Sequence, residues 1–466
     1  MKKQKHTFVL ILFLLGIFMG AIDSGIVSPA REIIQNSFGV SRGTGTWMIT
    51  IYTLFYAISM PITSKMSDRY GRKKVYTIGI AVFGIGSLLC GLSNFFGTFT
   101  FFLIARIIQA IGAGGILPIA TTVIGQSFPE EKRGTALGLV GAVYGVATIV
   151  GPTIGSAILT IGGNNHWGFI FFINLPICIS ILILSIKFVD TPVSEMKKLD
   201  ILGSLLTAGV VSSLLYALTN IDFFNIATSL TNTNVYPFLI LFLILIPLLV
   251  LVENRAVDPV LNMKYFKSKD MLVVFALALL IGIGMMSMVF VPQFAENVLK
   301  IKSGSGGYLI TLLAVFSGVA APLSGKLLDK KGTRVVLLLG FGFTIIGTLV
   351  LGYIATKTLT FPAILLGLAG MGLGVGFTMG PPLNYLVLKA VPEEEGATAL
   401  ATMSLIRSIG VTISPSIMIG FIVRAAKNVQ GELMTVTQTT LAAATGGEFM
   451  PNMSEVASSD LKTAQL

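Results

Sequence analysis

Apolar runs of spanning length follow one another along the chain, separated by short polar segments. An α-helix needs about 20 apolar residues to cross about 30 Å of hydrocarbon. Thirteen runs meet that length, at roughly 7–29, 45–65, 75–94, 98–120, 134–160, 167–188, 201–219, 235–253, 271–292, 306–327, 335–355, 361–388 and 397–422. The alternating ten-residue segments of a membrane β-barrel are absent. The pattern therefore predicts an all-α polytopic membrane protein.

The connections carry the charge. Lys and Arg are 22 in the segments on the side of the N-terminus and 8 on the other side, which predicts an N-terminus in the cytoplasm. In a chain only 11% charged and 54% hydrophobic, a net charge of +11 therefore marks membrane anchoring and not a nucleic-acid surface. Lys2, Lys3 and Lys5 precede the first run as in a signal peptide, but that run is long enough to span and no cleavage site follows it. Cys90 and Cys178 both fall inside apolar runs, without disulfide or metal spacing. No Gly-x-x-x-x-Gly-Lys-Ser/Thr loop occurs, so nucleotide drive is not expected, and nor is enzymatic activity.

Two segments repeat. Ser64-Lys65-Met66-Ser67-Asp68-Arg69-Tyr70-Gly71-Arg72-Lys73-Lys74 lies between the second and third runs, and Gly325-Lys326-Leu327-Leu328-Asp329-Lys330-Lys331-Gly332-Thr333-Arg334 lies between two later ones. Asp68 and Asp329 are 261 residues apart, as are Gly71 and Gly332. Phe128-Pro129-Glu130-Glu131-Lys132-Arg133-Gly134-Thr135-Ala136-Leu137 matches Val391-Pro392-Glu393-Glu394-Glu395-Gly396-Ala397-Thr398-Ala399-Leu400 at an offset of 263, which Pro152 and Pro415 share. The chain thus reads as two homologous halves. Residues 1–190 form a six-helix bundle, 191–268 hold two inserted helices, 269–426 hold five helices of a second bundle, and 427–466 read as a polar extracellular tail or loop. The counterpart of the sixth helix is expected near residue 430, where no apolar run of spanning length follows; a truncated sequence is expected, and thirteen spans with the C-terminus outside are the alternative.

Asp68-Arg69-Tyr70-Gly71-Arg72-Lys73 resembles the loop signature of the major facilitator superfamily. Arg106-Ile107-Ile108-Gln109-Ala110-Ile111-Gly112-Ala113-Gly114 resembles its fourth-span motif, and Gly151-Pro152-Thr153-Ile154-Gly155-Ser156 the fifth-span motif of its antiporters. Phe171-Phe172-Ile173-Asn174-Leu175-Pro176 and the two inserted helices resemble the fourteen-helix drug–proton antiporter family. The resemblance implies two six-helix bundles plus two inserted helices, and export of small molecules.

Charges inside spans are the residues most able to carry chemistry, because each costs several kcal/mol (about 3 or more) unless paired or hydrated. Asp23 and Arg106 are expected at similar depth, Asp23 as the proton site and Arg106 as the cation that sets its affinity; a permanent ion pair locking two spans is the alternative. Glu296 reads as a further proton or cation site, or as a solvated helix end. Neither Asp23, Arg106 nor Arg407 has a charged counterpart in the other half. Arg407 lines the cavity or bonds a neighbouring helix.

Asp68, Arg69, Gly71, Arg72, Asp329, Gly332 and Arg334 read as an inner gate, in which a carboxylate bonds basic residues and a helix N-terminus in one state only; simple membrane anchoring would explain the basic residues alone. Gly151, Pro152 and Gly155 kink the fifth span, either to seal the cavity or merely to pack. A midplane cavity between the halves is expected to be lined by Gln109, Tyr144, Asn174, Met285, Met286, Asn384 and Arg407.

Together these predict a monomeric inner-membrane exporter of amphipathic, often cationic, drugs, with protons as the coupling ion and no other cofactor. Its partners are the small-molecule substrate and the lipid bilayer, with no nucleic acid. Export of one endogenous lipid or metabolite, and a non-transporting sensor on the same scaffold, are the alternatives.

Overall fold

The structure, a computed structural model, describes residues 6–96, 98–189, 200–256, 258–287, 291, 294–295, 298 and 306–444. Every regular element among them is a helix. Eleven are long and apolar enough to cross a membrane, and the helices Arg42–Tyr70 and Lys269–Ser287 occupy the other two predicted spans.

The first half begins with α1 (His6–Ile26), a short α2 (Arg31–Phe38) and α3 (Arg42–Tyr70). Ser41 starts α3 by accepting a 3.2 Å bond from the Thr44 amide, which satisfies one free N–H of the first turn. Next come α4 (Arg72–Phe96), α5 (Phe99–Ala113), α6 (Ile116–Ser127), α7 (Glu130–Gly162), α8 (Phe169–Phe172) and α9 (Asn174–Ile186). The insert consists of α10 (Ile201–Asn220), α11 (Ile226–Ser229) and α12 (Tyr236–Arg255). The second half holds α13 (Lys269–Ser287), α14 (Gly306–Lys331), α15 (Thr333–Leu349, continued to Thr358), α16 (Phe361–Thr378), α17 (Pro381–Ala390) and α18 (Gly396–Ala444).

Two details depart from the expectation. The spans expected at 98–120 and 361–388 are each two helices, α5–α6 and α16–α17, broken at Gly114-Gly115 and at Met379-Gly380. The two breaks lie close together in the repeat but not at equivalent positions, since Gly114-Gly115 corresponds to Phe377-Thr378; glycine weakens the helix at each, and prolines follow the second in α17. Second, residues 427–444, expected as a polar tail, continue α18 as helix.

Lipid is as apolar as leucine, so packing and polar contacts, not exclusion from water, hold such helices together. In the first half Phe13, Ile80 and Phe83 fill one cluster, and Phe102, Trp167 and Phe171 pack edge to face in another. Ile78, Ile104, Ile183, Leu243 and Leu338 point outward, as a lipid-facing belt requires. The insert lies at the seam: Val211 and Leu215 of α10 pack on Ala57 of α3 and Leu405 of α18, one from each half.

Candidate functional site

Asp23 on α1 is fully buried, as are Ser87, Gln109 and Asn174, and Arg106 is 2% exposed. Four helices converge there. Asp23 Oδ1 accepts from Gln109 Nε2 at 2.8 Å and from Asn174 Nδ2 at 2.8 Å. Its Oδ2 accepts from Arg106 Nη1 at 3.4 Å. Both amides also donate to Ser87 Oγ, at 2.7 and 3.1 Å. Arg106 is held in turn by Gln109 Oε1 at 2.6 Å and the Met48 carbonyl at 3.4 Å, with its guanidinium 3.9 Å from the centre of the Tyr52 ring. The sequence spacing explains part of this: Arg106 and Gln109 are one turn apart on α5, hence on one face.

The expected Asp23–Arg106 pair is therefore present. Gln109 and Asn174, expected in the cavity, instead bind Asp23 inside the first half, where both are sealed from solvent. Ser87 and Tyr52 were not foreseen, because a serine and a tyrosine within apolar runs carry no signal of their own. Tyr52 stacks parallel on Tyr56 at 6.1 Å, and Tyr56 lies within electrostatic reach of Tyr144 and Arg407. Aromatic side chains thus lead from the acid to the seam.

Gly151 and Gly155, with Pro152, form the face of α7 against α1. A Cβ on Gly151 would lie 2.8 Å from the Ile22 carbonyl oxygen, and one on Gly155 2.6 Å from that of Ile26. These contacts bracket Asp23 along α1, so the motif positions the acid. Gly155→Val is expected to push α1 away and to cut transport about tenfold or more, with the protein still in the membrane, as a displacement of about 1 Å at a reacting group does. Transport rates normalised to membrane protein level check this; native rates would remove the positioning role.

At the face where α1 begins, the two repeated segments bind each other crosswise. Asp68, at the end of α3, accepts from the Thr398 amide at 2.8 Å, Thr398 Oγ1 at 2.9 Å and the Ala397 amide at 3.4 Å. Asp329, at the end of α14, accepts from the Gly134 amide at 2.7 Å, the Thr135 amide at 2.9 Å and Thr135 Oγ1 at 2.6 Å. Asp68 thus occupies the N-terminus of α18 in the other half, where free N–H groups and the helix dipole favour an anion, and Asp329 bonds the second turn of α7. Gly71 and Gly332 follow with φ of 99° and 79°, a left-handed conformation that explains both glycines.

Arg72 adds bonds to Asp68, Gln126 and the Glu393 carbonyl. Its counterpart Thr333 brings no such cation to Asp329. Arg334, expected in the gate, is exposed at the start of α15, and Arg69 lies over the Tyr70 ring at 5.0 Å with Nε and Nη1 unbonded. The loop after α12 reinforces this end: Lys65 pairs with Asp258, and Glu395 accepts from Tyr265 Oη at 2.6 Å and Asn262 Nδ2 at 3.2 Å. Burial, then the bond to Glu395, hold the Tyr265 phenol well above its ordinary range, so it stays a donor.

Between the halves lies a narrow space reached by Tyr144, Asn384 and Arg407, as expected. Its volume is about 20 Å³, room for a single water. Met285 packs instead into the apolar cluster of Val274 and Ile281. The Met286 side chain and Glu296 lie outside the described residues.

The model of the Major Facilitator Superfamily matches residues 13–415. The chain belongs to the major facilitator superfamily. It is 38% identical over 437 residues to YfiU, an uncharacterised MFS-type transporter of Bacillus subtilis (strain 168), covering 93% of this chain and 83% of YfiU. It is 31% identical to Multidrug resistance protein 3 of the same organism, over 89% of this chain and 79% of that one. Identity is also 31% to the riboflavin transporter RibZ of Clostridioides difficile (strain 630), over 86% and 85%. Among solved structures, the proton:xylose symporter XylE superposes with a TM-score of 0.61 at 14% identity, covering 91% of this chain and 90% of XylE. As a member of this superfamily the chain is a multi-pass membrane transporter of small molecules.

Proposed function

We propose that the protein is a proton-coupled exporter of amphipathic drugs, working by alternating access with its N-terminus in the cytoplasm. The buried Asp23–Arg106 pair carries this reading. Asp23 accepts bonds from three side chains, each of which presents a donor to it. On protonation it becomes a donor, and at least one of its partners must turn away. Arg106 is then held by Gln109, the Met48 carbonyl and Tyr52 without Asp23, which loosens α1 from α5. The crossed carboxylates at the cytoplasmic face form the second element. They close the inner mouth here, and separating the halves breaks six bonds from Asp68 and Asp329 together. Because the narrow space is far below the roughly 300 Å³ of a drug-sized pocket, the substrate enters only when the halves part.

The likeness to Multidrug resistance protein 3 supports drugs as substrates. The equal likeness to RibZ favours a second reading, transport of a flavin-like metabolite. Proteoliposomes under an imposed pH gradient test both, with a panel of dyes, drugs and riboflavin. The expected result is flux of several unrelated amphipathic compounds that stops when a protonophore collapses the gradient. Flux of riboflavin alone would select the second reading, and flux indifferent to the gradient would remove proton coupling.

A further inference from the structure

The narrow space between the halves has a hidden order. Its lining contains Leu117 and Gly380, Thr121 and Asn384, Gly141 and Ser404, and Tyr144 and Arg407. Each of these pairs is separated by 263 residues, the offset of the internal repeat. Equivalent positions of the two halves thus face one another across the seam, and the chemistry of the site lies in how the pairs differ. The first half contributes Leu117, Val140 and Tyr144, a mainly apolar and aromatic wall with one hydroxyl, that of Thr121, beside the phenol. The second contributes Asn384, Ser404 and Arg407, a polar wall with a positive charge.

Among the described residues that charge is unanswered. No carboxylate lines the space. The Arg407 guanidinium makes one bond, to Ser404 Oγ at 3.5 Å, and forms no ion pair. Asp23 does not serve it, since Asp23 is paired with Arg106. Yet Arg407 belongs to the membrane-crossing part of α18, where an unpaired cation is costly unless hydrated or matched. A guanidinium offers five N–H donors in a planar fork that fits a carboxylate or similar oxyanion with two parallel bonds. Tyr144 lines the same space and brings an aromatic ring to it.

We propose that Arg407 anchors an anionic group on the substrate, so that the preferred cargo is an amphipathic organic acid and not an organic cation. The acid group meets Arg407, Asn384 and Ser404 of the second half, and the apolar body lies on Tyr144 and Leu117 of the first. The export reading above is needed for the word cargo; binding at Arg407 stands apart from it.

The test uses three fluorescent probes with one apolar body: 1-pyrenebutyrate, its methyl ester and 1-pyrenebutyl-trimethylammonium. Binding is measured on the purified full-length protein, and flux separately in proteoliposomes. Native protein should bind the acid about tenfold or more tightly than either other probe, the weight of one charge-assisted bidentate contact. Arg407→Gln should bring the acid-to-ester ratio within about twofold, and Arg407→Lys should restore part of it, since a point charge keeps attraction without the fork. The thermal midpoints of both variants report whether they fold, and the comparison is read within each variant. Equal binding of all three probes to native protein, absence of binding of any, or an acid-to-ester ratio unchanged in Arg407→Gln would each overturn the proposal. Arg407-dependent binding of the acid without flux would remove export and leave the anion site standing. Gradient-driven flux that treats the three probes alike would remove the anion site and leave export standing.

Discussion

Asp23→Asn is expected to abolish the response of transport to a pH gradient while leaving exchange of substrate for substrate across the membrane. The substituted amide can still accept from Gln109 and Asn174, but it presents N–H groups toward Arg106 and cannot take up a proton. Removing one partner of a buried pair leaves an uncompensated charge and destabilises by about 3–5 kcal/mol, so a lower melting temperature accompanies the change. A coupling free energy of about 1–3 kcal/mol between proton and substrate corresponds to a 5- to 150-fold effect, and gradient-driven flux should fall by that much. Substrate exchange needs no proton and should survive in the folded fraction. Gradient-driven flux equal to that of the native protein would move the proton site elsewhere.

The second large effect concerns the crossed carboxylates. Bonds to an ionised acceptor are worth about 1.5–3 kcal/mol each, net. Asp68→Asn with Asp329→Asn weakens two such clusters at once. A shift of about 5.5 kcal/mol carries a two-state equilibrium from 1:99 to 99:1, so the double variant is expected to populate a state in which the halves are parted at this face. Lys132 and Lys330 are exposed beside the Gly134–Asp329 contact, and spin labels at these positions should move apart. Each single variant should give a smaller opening. Asp68→Asn should give the larger of the two, because it also removes the charge that pairs with Arg72. Label distances that stay as in native protein would show that the mouth is held by packing alone.

Much of this architecture was legible in the chain. Run length alone predicts helices, and the 261- and 263-residue offsets divide them into two halves. Gly71 and Gly332 were legible as hinges, and the Asp23–Arg106 pair followed from two charges at similar depth. Other roles were not legible. Gln109 and Asn174 read as cavity residues because an amide in an apolar run says only that a polar partner exists. Which partner depends on four helices meeting, and the structure turns both amides to Asp23. Arg334 read as part of the gate by its place in the repeat, yet the second hinge bonds through Asp329 alone.

By itself the sequence determined that this protein spans a membrane as helices, that its halves are copies, and which charges have no copy. Those are properties of local composition and of spacing along one chain, and they hold however the halves are arranged. Only the tertiary structure decided that each repeated aspartate bonds the other half's repeated threonine, that the acid is sealed within one half, and that Tyr144 and Arg407 share one space. Such pairings join residues up to 330 positions apart, Asp68 and Thr398 among them. They exist only because two bundles meet face to face, and no pattern along the chain encodes the face that each bundle turns to its partner.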